Sequence, residues 1–136
     1  MKISQKFENA CRVLLQLAQH FDGETVTRLE TLAQREHVSS SFLVQILNEL
    51  RRSGLVESRR GKTGGYLLAR PPADISLYEI AAAIEPALVD DSAGTDGESG
   101  QAFQKTWNQA SEVFANHLKG TSLASMQKDE TPMYFI

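Results

Sequence analysis

At 136 residues, 41% of them hydrophobic and 23% charged, the chain has room for one globular core with an accessory segment rather than two independent domains. Its single cysteine, Cys11, excludes an intramolecular disulfide and cannot alone supply the thiolates of a zinc or iron–sulfur site. No stretch approaches the roughly 20 apolar residues of a membrane span, so we expect a soluble, cytoplasmic protein with no membrane partner.

The net charge of −3 is unevenly divided along the chain. Residues 1–72 contain eleven Lys/Arg and seven Asp/Glu, whereas residues 73–136 contain three and ten. The two halves therefore face different partners or surfaces. A basic domain with an acidic appendage fits this division.

Three helices are predicted in the N-terminal part of the chain. Apolar residues recur at helical spacing over residues 5–20 and again over residues 42–50. Between these segments, Thr27 and Glu30 have the spacing of a capping box, in which each side chain satisfies a backbone N–H at a helix start. We therefore expect a short second helix that is capped by Thr27 and runs to about Glu36.

A tight turn at residues 37–39 is predicted to join the second helix to the third. Serines after the turn can cap the third helix, and Gly54 is expected to end it in a left-handed conformation. Two short helices joined in this way, the second of them amphipathic, are typical of a helix-turn-helix.

A basic hairpin is predicted after the third helix. Residues 55–59 and 66–69 have the character of strands, and residues 60–65 form a glycine-rich tip, Arg-Gly-Lys-Thr-Gly-Gly. A nucleotide phosphate loop is disfavoured, because this loop joins two strands and does not open a helix. The fold class predicted is mainly α with a small β-wing, a winged helix-turn-helix.

The remaining chain predicts a fourth helix, a linker and a long helix. Ser76 and Glu79 repeat the capping-box spacing at the start of the fourth helix. Residues 90–100 are acidic and rich in Gly, Ser and Asp, which indicates a flexible linker. The expected division is thus a winged helix-turn-helix domain at 1–89, the linker at 90–100, a dimerisation helix region at 101–126 and a tail at 127–136.

The long C-terminal helix is expected to have an apolar face that must be covered. It either folds back on its own domain or pairs with a second copy, and we favour the homodimer because helix-turn-helix proteins commonly dimerise. The candidate dimerisation residues are Phe103, Trp107, Ala110, Phe114 and Leu118.

The third helix is predicted to present a polar stripe opposite its apolar face. Ser41 and Gln45 lie near its N-terminal end, where Gln can pair bidentately with adenine in the major groove. Asn48 and Arg52 lie further back, towards phosphates. A plain solvated face is the alternative, and the neighbouring wing favours DNA contact over it.

The wing supplies cations for this contact. The segment from Arg51 to Arg70 contains six Lys/Arg and one acid. Arg60 at the tip is the candidate for the narrow minor groove, and Lys62 and Thr63 are candidates for the DNA backbone.

The wing motif resembles the Rrf-two (Rrf2) family of transcription regulators. The resemblance rests on Gly-Leu-Val at residues 54–56 and on Arg-Gly-Lys-Thr-Gly-Gly-Tyr-Leu-Leu-Ala-Arg-Pro-Pro at residues 60–72, and it extends over nearly the whole chain. It implies a winged-helix dimer held by the long C-terminal helix. It also implies DNA contacts at Ser39, Ser41, Gln45 and Arg60. Several members have Glu in place of Val44, so operator preference is expected to differ.

Pattern and resemblance together give one set of DNA-binding candidates, with no catalytic residue among them. These candidates are Ser39, Ser41, Gln45, Asn48, Arg52, Arg59, Arg60, Lys62 and Thr63.

The resemblance bears on cofactors as well. The family includes an iron–sulfur cluster regulator, a nitric-oxide-sensing repressor and a cysteine-metabolism repressor, and its cluster-binding members have three closely spaced cysteines after the fourth helix. This chain has none there, and His20, His37 and His117 lack ligand spacing, so we expect no cofactor or metal. Cys11 lies in the apolar stripe of the first helix, which favours a structural thiol over a redox sensor.

The sequence finishes with an apolar segment, Met133, Tyr134, Phe135 and Ile136. This segment either packs on its own dimer or docks on a partner. It resembles the C-terminal isoleucine peptides that enter the active site of cysteine synthase (O-acetylserine sulfhydrylase), a partner of the cysteine-metabolism repressor subgroup. The resemblance implies a repressor of sulfur metabolism.

Alternative functions stay open at this point. A family regulator that senses a small ligand or redox state is one, and a winged-helix interaction module that does not bind DNA is another. An enzyme is disfavoured, because no nucleophile with a paired base, metal set or convergent carboxylates can be placed on these elements.

Overall fold

A computed structural model describes residues 2–90 and 93–127 and shows a mainly helical chain with one small antiparallel sheet. This confirms the predicted fold class. No helix within these residues is both long and apolar enough to cross a lipid bilayer. The described helices and strands are α1 (Gln5–Ala18), α2 (Leu29–Glu36), α3 (Ser40–Arg52), β1 (Val56–Arg59), β2 (Gly65–Leu68), α4 (Leu77–Ile84), α5 (Gly100–Lys119) and α6 (Leu123–Gln127), with 3₁₀ turns at Pro72–Asp74 and Pro86–Leu88.

Helix α1 lies at the centre of the core. Its apolar stripe packs against α2, α3, α4 and α6, and its first turn is capped by Ser4, whose Oγ accepts a hydrogen bond from the backbone N–H of Phe7 at 3.1 Å. The charged Arg12 on its flank donates to the carboxylate of Glu36 at 3.0 Å and to the backbone carbonyl of the same residue. Because Glu36 is the last residue of α2, this pair fixes the end of α2 against α1.

Helix α3 turns one face completely into the core. Its inward side chains, each contributing about 1.5–3 kcal/mol on burial, fix the opposite face towards solvent. The fully buried side chains are Leu43, Ile46, Leu47 and Leu50.

The turn before α3 and the cap after it form as the sequence predicts, but the N-cap is Ser39 within the turn and not a serine after it. His37 adopts the left-handed conformation (φ 57°) at the end of α2, and the Oγ of Ser39 accepts from the backbone N–H of Phe42 at 3.3 Å. At the other end Gly54 has φ 78°, and the N–H of Leu55 donates to the carbonyl of Leu50 at 3.0 Å. This pattern is a Schellman cap.

The capping box predicted at Thr27 is wrong. Helix α2 begins at Leu29, and Arg28 in its N-cap position makes no side-chain capping bond. Thr27 instead pairs with Tyr66 of β2, and each residue's N–H donates to the other's carbonyl at 2.8 Å. These two backbone bonds hold Thr27 in an extended conformation beside the sheet, so the wing is joined directly to the helix-turn-helix.

At the start of α4, half of the predicted capping box is present. The Oγ of Ser76 accepts from the backbone N–H of Glu79 at 3.1 Å. The Glu79 carboxylate pairs with the guanidinium of Arg70, which leads out of β2. The side chain of Glu79 therefore forms an ion pair that connects the wing to α4, in place of the second bond of the capping box.

The C-terminal part of the chain returns to the winged-helix core. Helical structure resumes at Gly100, one residue before the expected position, and α5 packs against α4. Leu118 near its end is buried, and Leu123 of α6 is fully buried. The backbone there is fixed by bonds of 2.8 Å from Leu77 N–H to the Thr121 carbonyl and 3.0 Å from Leu123 N–H to the Ile75 carbonyl.

Candidate nucleic-acid interface

The structure brings the predicted polar stripe of α3 together on one solvent-facing side. Ser41, Gln45 and Arg52 are exposed and Asn48 is half-buried. Ser39 stands at the N-cap, where its oxygen accepts the Phe42 N–H and its hydroxyl hydrogen remains a donor. The stripe is a row of hydrogen-bonding groups on a rigid helix, which is the shape that the major groove admits.

The wing places its cations beside this helix. Strands β1 and β2 pair antiparallel, with Arg59 opposite Gly65 at the last position of the ladder. The candidates at and beyond that position, Arg59, Arg60, Lys62 and Thr63, are all exposed. The guanidinium of Arg59 lies 3.2 Å from the carboxylate of Glu57, a surface pair that a phosphate can replace at small cost.

The tip of the wing has no room for a side chain at Gly64. A Cβ there would lie 2.2 Å from the backbone carbonyl oxygen of Arg59, while the Gly64 N–H donates to the Gly61 carbonyl at 3.0 Å. The glycine is therefore required by close backbone approach, and it fixes the course of residues 60–64.

A Gly64→Ala substitution should displace the wing tip. We expect affinity for duplex DNA to fall about tenfold or more with little change in helical circular dichroism, because the helices do not depend on the tip. Gly94→Ala is the matched control, since a Cβ at Gly94 meets no atom within 4 Å. Equal DNA affinities for the two variants in a fluorescence-anisotropy titration would contradict this role of Gly64.

Two arginines beside the wing were not among the DNA-binding candidates predicted from the sequence. Nη1 of Arg28 donates to the backbone carbonyl of Lys62 at 3.4 Å, and Nη1 of Arg51 donates to the Oγ of Ser58 at 3.3 Å. Arg51 had a sequence signal, because it belongs to the run of cations around the wing. Arg28 had none, because its proximity to the wing depends on the pairing of Thr27 with β2.

Helix α5 leaves large apolar side chains in solvent. Phe103 and Trp107 are 60% and 48% exposed and stack on each other with ring centroids 6.1 Å apart, and Val113 is 71% exposed. Phe114 is half-buried and Ala110 is exposed, whereas Leu118 is covered by its own chain. The predicted dimerisation set therefore divides into an outward N-terminal part and an inward end.

An iron–sulfur cluster does not fit the residues of this chain. Cys11 is the one cysteine in the sequence, it lies on α1, and burial raises the pKa of its thiol to about 12. No group of three His, Cys, Asp or Glu side chains within residues 2–90 and 93–127 is placed to hold a metal ion. A cluster needs several thiolates, and this thiol resists ionisation.

The Cys11 thiol should be nearly inert in the folded protein. With a pKa of about 12, roughly one molecule in 10⁴ carries the thiolate at pH 8, and the thiolate is the reactive form. We expect negligible labelling by a thiol-specific disulfide reagent until the chain is unfolded in guanidinium, when one equivalent reacts. Rapid labelling of the native protein would show that the thiol is poised for redox sensing.

Comparison with known sequences gives consistent relatives. Residues 3–129 match the model of the Rrf2 family, described as iron-dependent transcriptional regulators. IscR, an HTH-type transcriptional regulator of Cereibacter sphaeroides, is 35% identical over 138 residues, which cover 96% of this chain and 89% of that protein. A Neisseria meningitidis protein assigned as an HTH-type transcriptional regulator is 41% identical over 88 residues, 65% of this chain, and the match spans 59% of that relative.

Solved structures give the same answer for the fold. CymR, the global cysteine regulator of Bacillus subtilis, superposes with a TM-score of 0.82 at 29% identity, covering 96% of this chain and 99% of that one. IscR of T. potens superposes with a TM-score of 0.78 at 32% identity, covering 100% and 93%. These proteins are regulators rather than enzymes, and they share the wing and the C-terminal helix described above. The chain therefore belongs to the Rrf2 family of helix-turn-helix transcription regulators.

Proposed function

We propose that the chain is a sequence-specific DNA-binding regulator that acts as a homodimer on operator DNA in the cytoplasm. The observation that carries the proposal is the division of α3 into two faces. One face is anchored by fully buried leucines and isoleucine, and the other presents Ser41, Gln45 and Arg52 to solvent beside a wing of cations.

The geometry suits binding in both grooves at once. With α3 in the major groove, Ser41 and Gln45 at its N-terminal end meet base edges, and Asn48 and Arg52 approach phosphates. The wing then lies over the adjacent minor groove, where Arg60 enters the region of strongest negative potential. Base contacts give preference for a sequence, and phosphate contacts give affinity that depends on salt.

The exposed face of α5 supports the homodimer. An apolar face with Phe103 and Trp107 in water is costly for a single chain, and a second copy would cover it. Two copies related by a two-fold axis present two α3 helices to half-sites about one helical turn apart. The operator is then expected to be palindromic.

Selection from a random duplex library tests this function. The full chain should enrich a palindromic site, bind it at least about 10³-fold more tightly than random duplex, and lose affinity steeply as salt is raised. Enrichment of no sequence, or binding that does not respond to salt, would overturn the proposal and favour an interaction module.

A finer proposal is that the protein represses genes of cysteine metabolism. The similarity to the global cysteine regulator CymR supports it, as does the resemblance of residues 133–136 to peptides that dock in cysteine synthase. Those residues, the predicted partner-binding tail, lie outside the described residues. Capture of purified cysteine synthase should therefore require Tyr134, Phe135 and Ile136.

Copurification with cysteine synthase provides the test. The full chain should retain the enzyme, a variant that lacks residues 134–136 should not, and a variant with alanines at residues 128–130 should behave as the full chain. Retention of the enzyme by the shortened chain would show that residues 134–136 do not bind cysteine synthase.

A further inference from the structure

Four arginines surround a cleft at the base of the wing. Arg28 precedes α2, Arg51 lies in the last turn of α3, and Arg59 and Arg60 lie at the end of β1 and just beyond it. They line an open cleft of about 300 Å³ together with backbone of the glycine-rich tip. We call this site the basic cleft.

The charge in the basic cleft is poorly balanced. Glu30 is the carboxylate among its lining residues, and it lies 3.8 Å from the Arg28 guanidinium in a pair whose side chains are 64% and 74% exposed. Such an exposed pair contributes little. Arg59 is paired in addition with Glu57, a residue next to the lining, at 3.2 Å. Four guanidinium groups near these two carboxylates still leave a local positive potential that an anion would relieve.

Two of these guanidinium groups are held in place by the protein. Arg28 donates to the Lys62 carbonyl and Arg51 donates to the Ser58 hydroxyl. Each of these bonds uses one of the five N–H donors of an arginine, so other donors of these two cleft-lining side chains remain for a ligand. The backbone pairing of Thr27 with Tyr66 keeps Arg28 beside the wing.

We infer that the basic cleft binds one phosphodiester group of the DNA backbone, contacted jointly by Arg28 and Arg51. This inference rests on the proposed function. The cleft lies between α3, which is proposed to enter the major groove, and the wing, which is proposed to lie over the minor groove. A sugar–phosphate strand separates these two grooves, so it must pass over the cleft. The planar guanidinium fork matches the oxygens of a phosphate.

Arg28 has a second part in this arrangement. Its bond to the Lys62 carbonyl sets the wing tip relative to α2, so the same residue contacts phosphate and positions the wing. Arg28→Lys retains the charge but replaces the fork with a single ammonium. We expect this variant to keep the salt dependence of the native protein and to lose only part of the affinity that Arg28→Gln loses.

The inference is tested by titrating operator duplex with the full chain over a range of salt. Arg28→Gln and Arg51→Gln should each weaken binding about tenfold. For Arg51→Gln the loss should be equal for operator and random duplex, because a phosphate contact is independent of sequence, whereas Arg28→Gln also releases the wing tip and should in addition reduce the preference for operator. Since both contact the same phosphate, the double variant should lower the slope of log affinity against log salt by about one in total. Lys105→Gln, which removes an exposed charge on α5, should behave as the native protein.

Several outcomes would contradict the binding of one phosphodiester group in the basic cleft. Native affinity and slope in both single variants would show that the cleft does not bind the backbone, and a double-variant slope lowered by about two would show two separate phosphates. Circular dichroism identifies any variant that fails to fold. If Arg28→Gln or the double variant does not fold, the affinities of Arg28→Lys and Arg51→Gln test the phosphate contact instead. Failure of the native chain itself to prefer any duplex is a different result, which would refute the proposed function.

Discussion

Replacing Gln45 and Arg60 together by alanine should reduce the preference for operator over random duplex by about a hundredfold or more. Gln45 is exposed on the outward face of α3, and Arg60 is exposed at the wing tip. Each good base contact contributes about 1–3 kcal/mol to discrimination, and the two contacts lie in different grooves, so their losses should add. The measurement is competition binding at fixed salt with labelled operator and unlabelled random duplex.

Arg52→Gln is the control for this double variant. Arg52 is exposed on the same face of α3 but is placed towards phosphates, so its loss should weaken binding to both duplexes by the same factor. The two variants thus separate sequence preference from affinity. Undiminished preference in the Gln45→Ala, Arg60→Ala protein would mean that α3 and the wing do not read the operator.

Local patterns predicted the elements that carry this site. The apolar period of α3 is visible in the sequence because leucine and isoleucine at helical spacing must share one face, and that face is buried. The turn at His37 and the cap at Gly54 follow from steric preferences that act within a few residues. The wing follows from a glycine-rich segment between two short runs with the character of strands. These features need no knowledge of distant parts of the chain.

Contacts between distant segments were not predictable in this way. Thr27 and Glu30 satisfy the local rule for a capping box, yet the backbone bonds from Thr27 to Tyr66 prevail, because a strand can satisfy the N–H and the carbonyl together. The place of Arg28 in the basic cleft depends on that pairing. The return of α6 to the core depends on the bond from the Leu123 N–H to the Ile75 carbonyl and on that from the Leu77 N–H to the Thr121 carbonyl, which no local spacing indicates.

The long helix shows how much an apolar stripe can reveal. Its spacing predicts an apolar face that needs a cover, but the spacing does not say what covers it. The structure shows that the chain itself covers Leu118 and leaves Phe103 and Trp107 in solvent. A stripe of this kind predicts a helix and an apolar neighbour, and identifying the neighbour requires the tertiary structure.

The exposed aromatic pair on α5 leads to the second large effect. Trp107→Glu should dissociate the proposed homodimer and, with it, tight operator binding, because one α3 helix alone contacts a single half-site. Truncating a buried aromatic side chain at an interface lowers the free energy of binding by about 2 kcal/mol or more. In a two-fold symmetric dimer the substitution is present in both copies, so this loss occurs twice. We expect the dimer to be weakened about 10³-fold or more, as measured by sedimentation velocity over a range of protein concentrations.

Gln109→Glu is the matched control, because it adds the same negative charge to an exposed position on the opposite side of α5. It should leave the dimer and its DNA affinity unchanged. Phe103→Glu provides a second test at a side chain that is 60% exposed, where the fold of a single chain depends little on the ring. A dimer that persists in both Phe103→Glu and Trp107→Glu, with native circular dichroism, would place the interface elsewhere on the molecule. Dissociation in both would show that the Phe103–Trp107 stack anchors the subunit contact on which two-site DNA recognition depends.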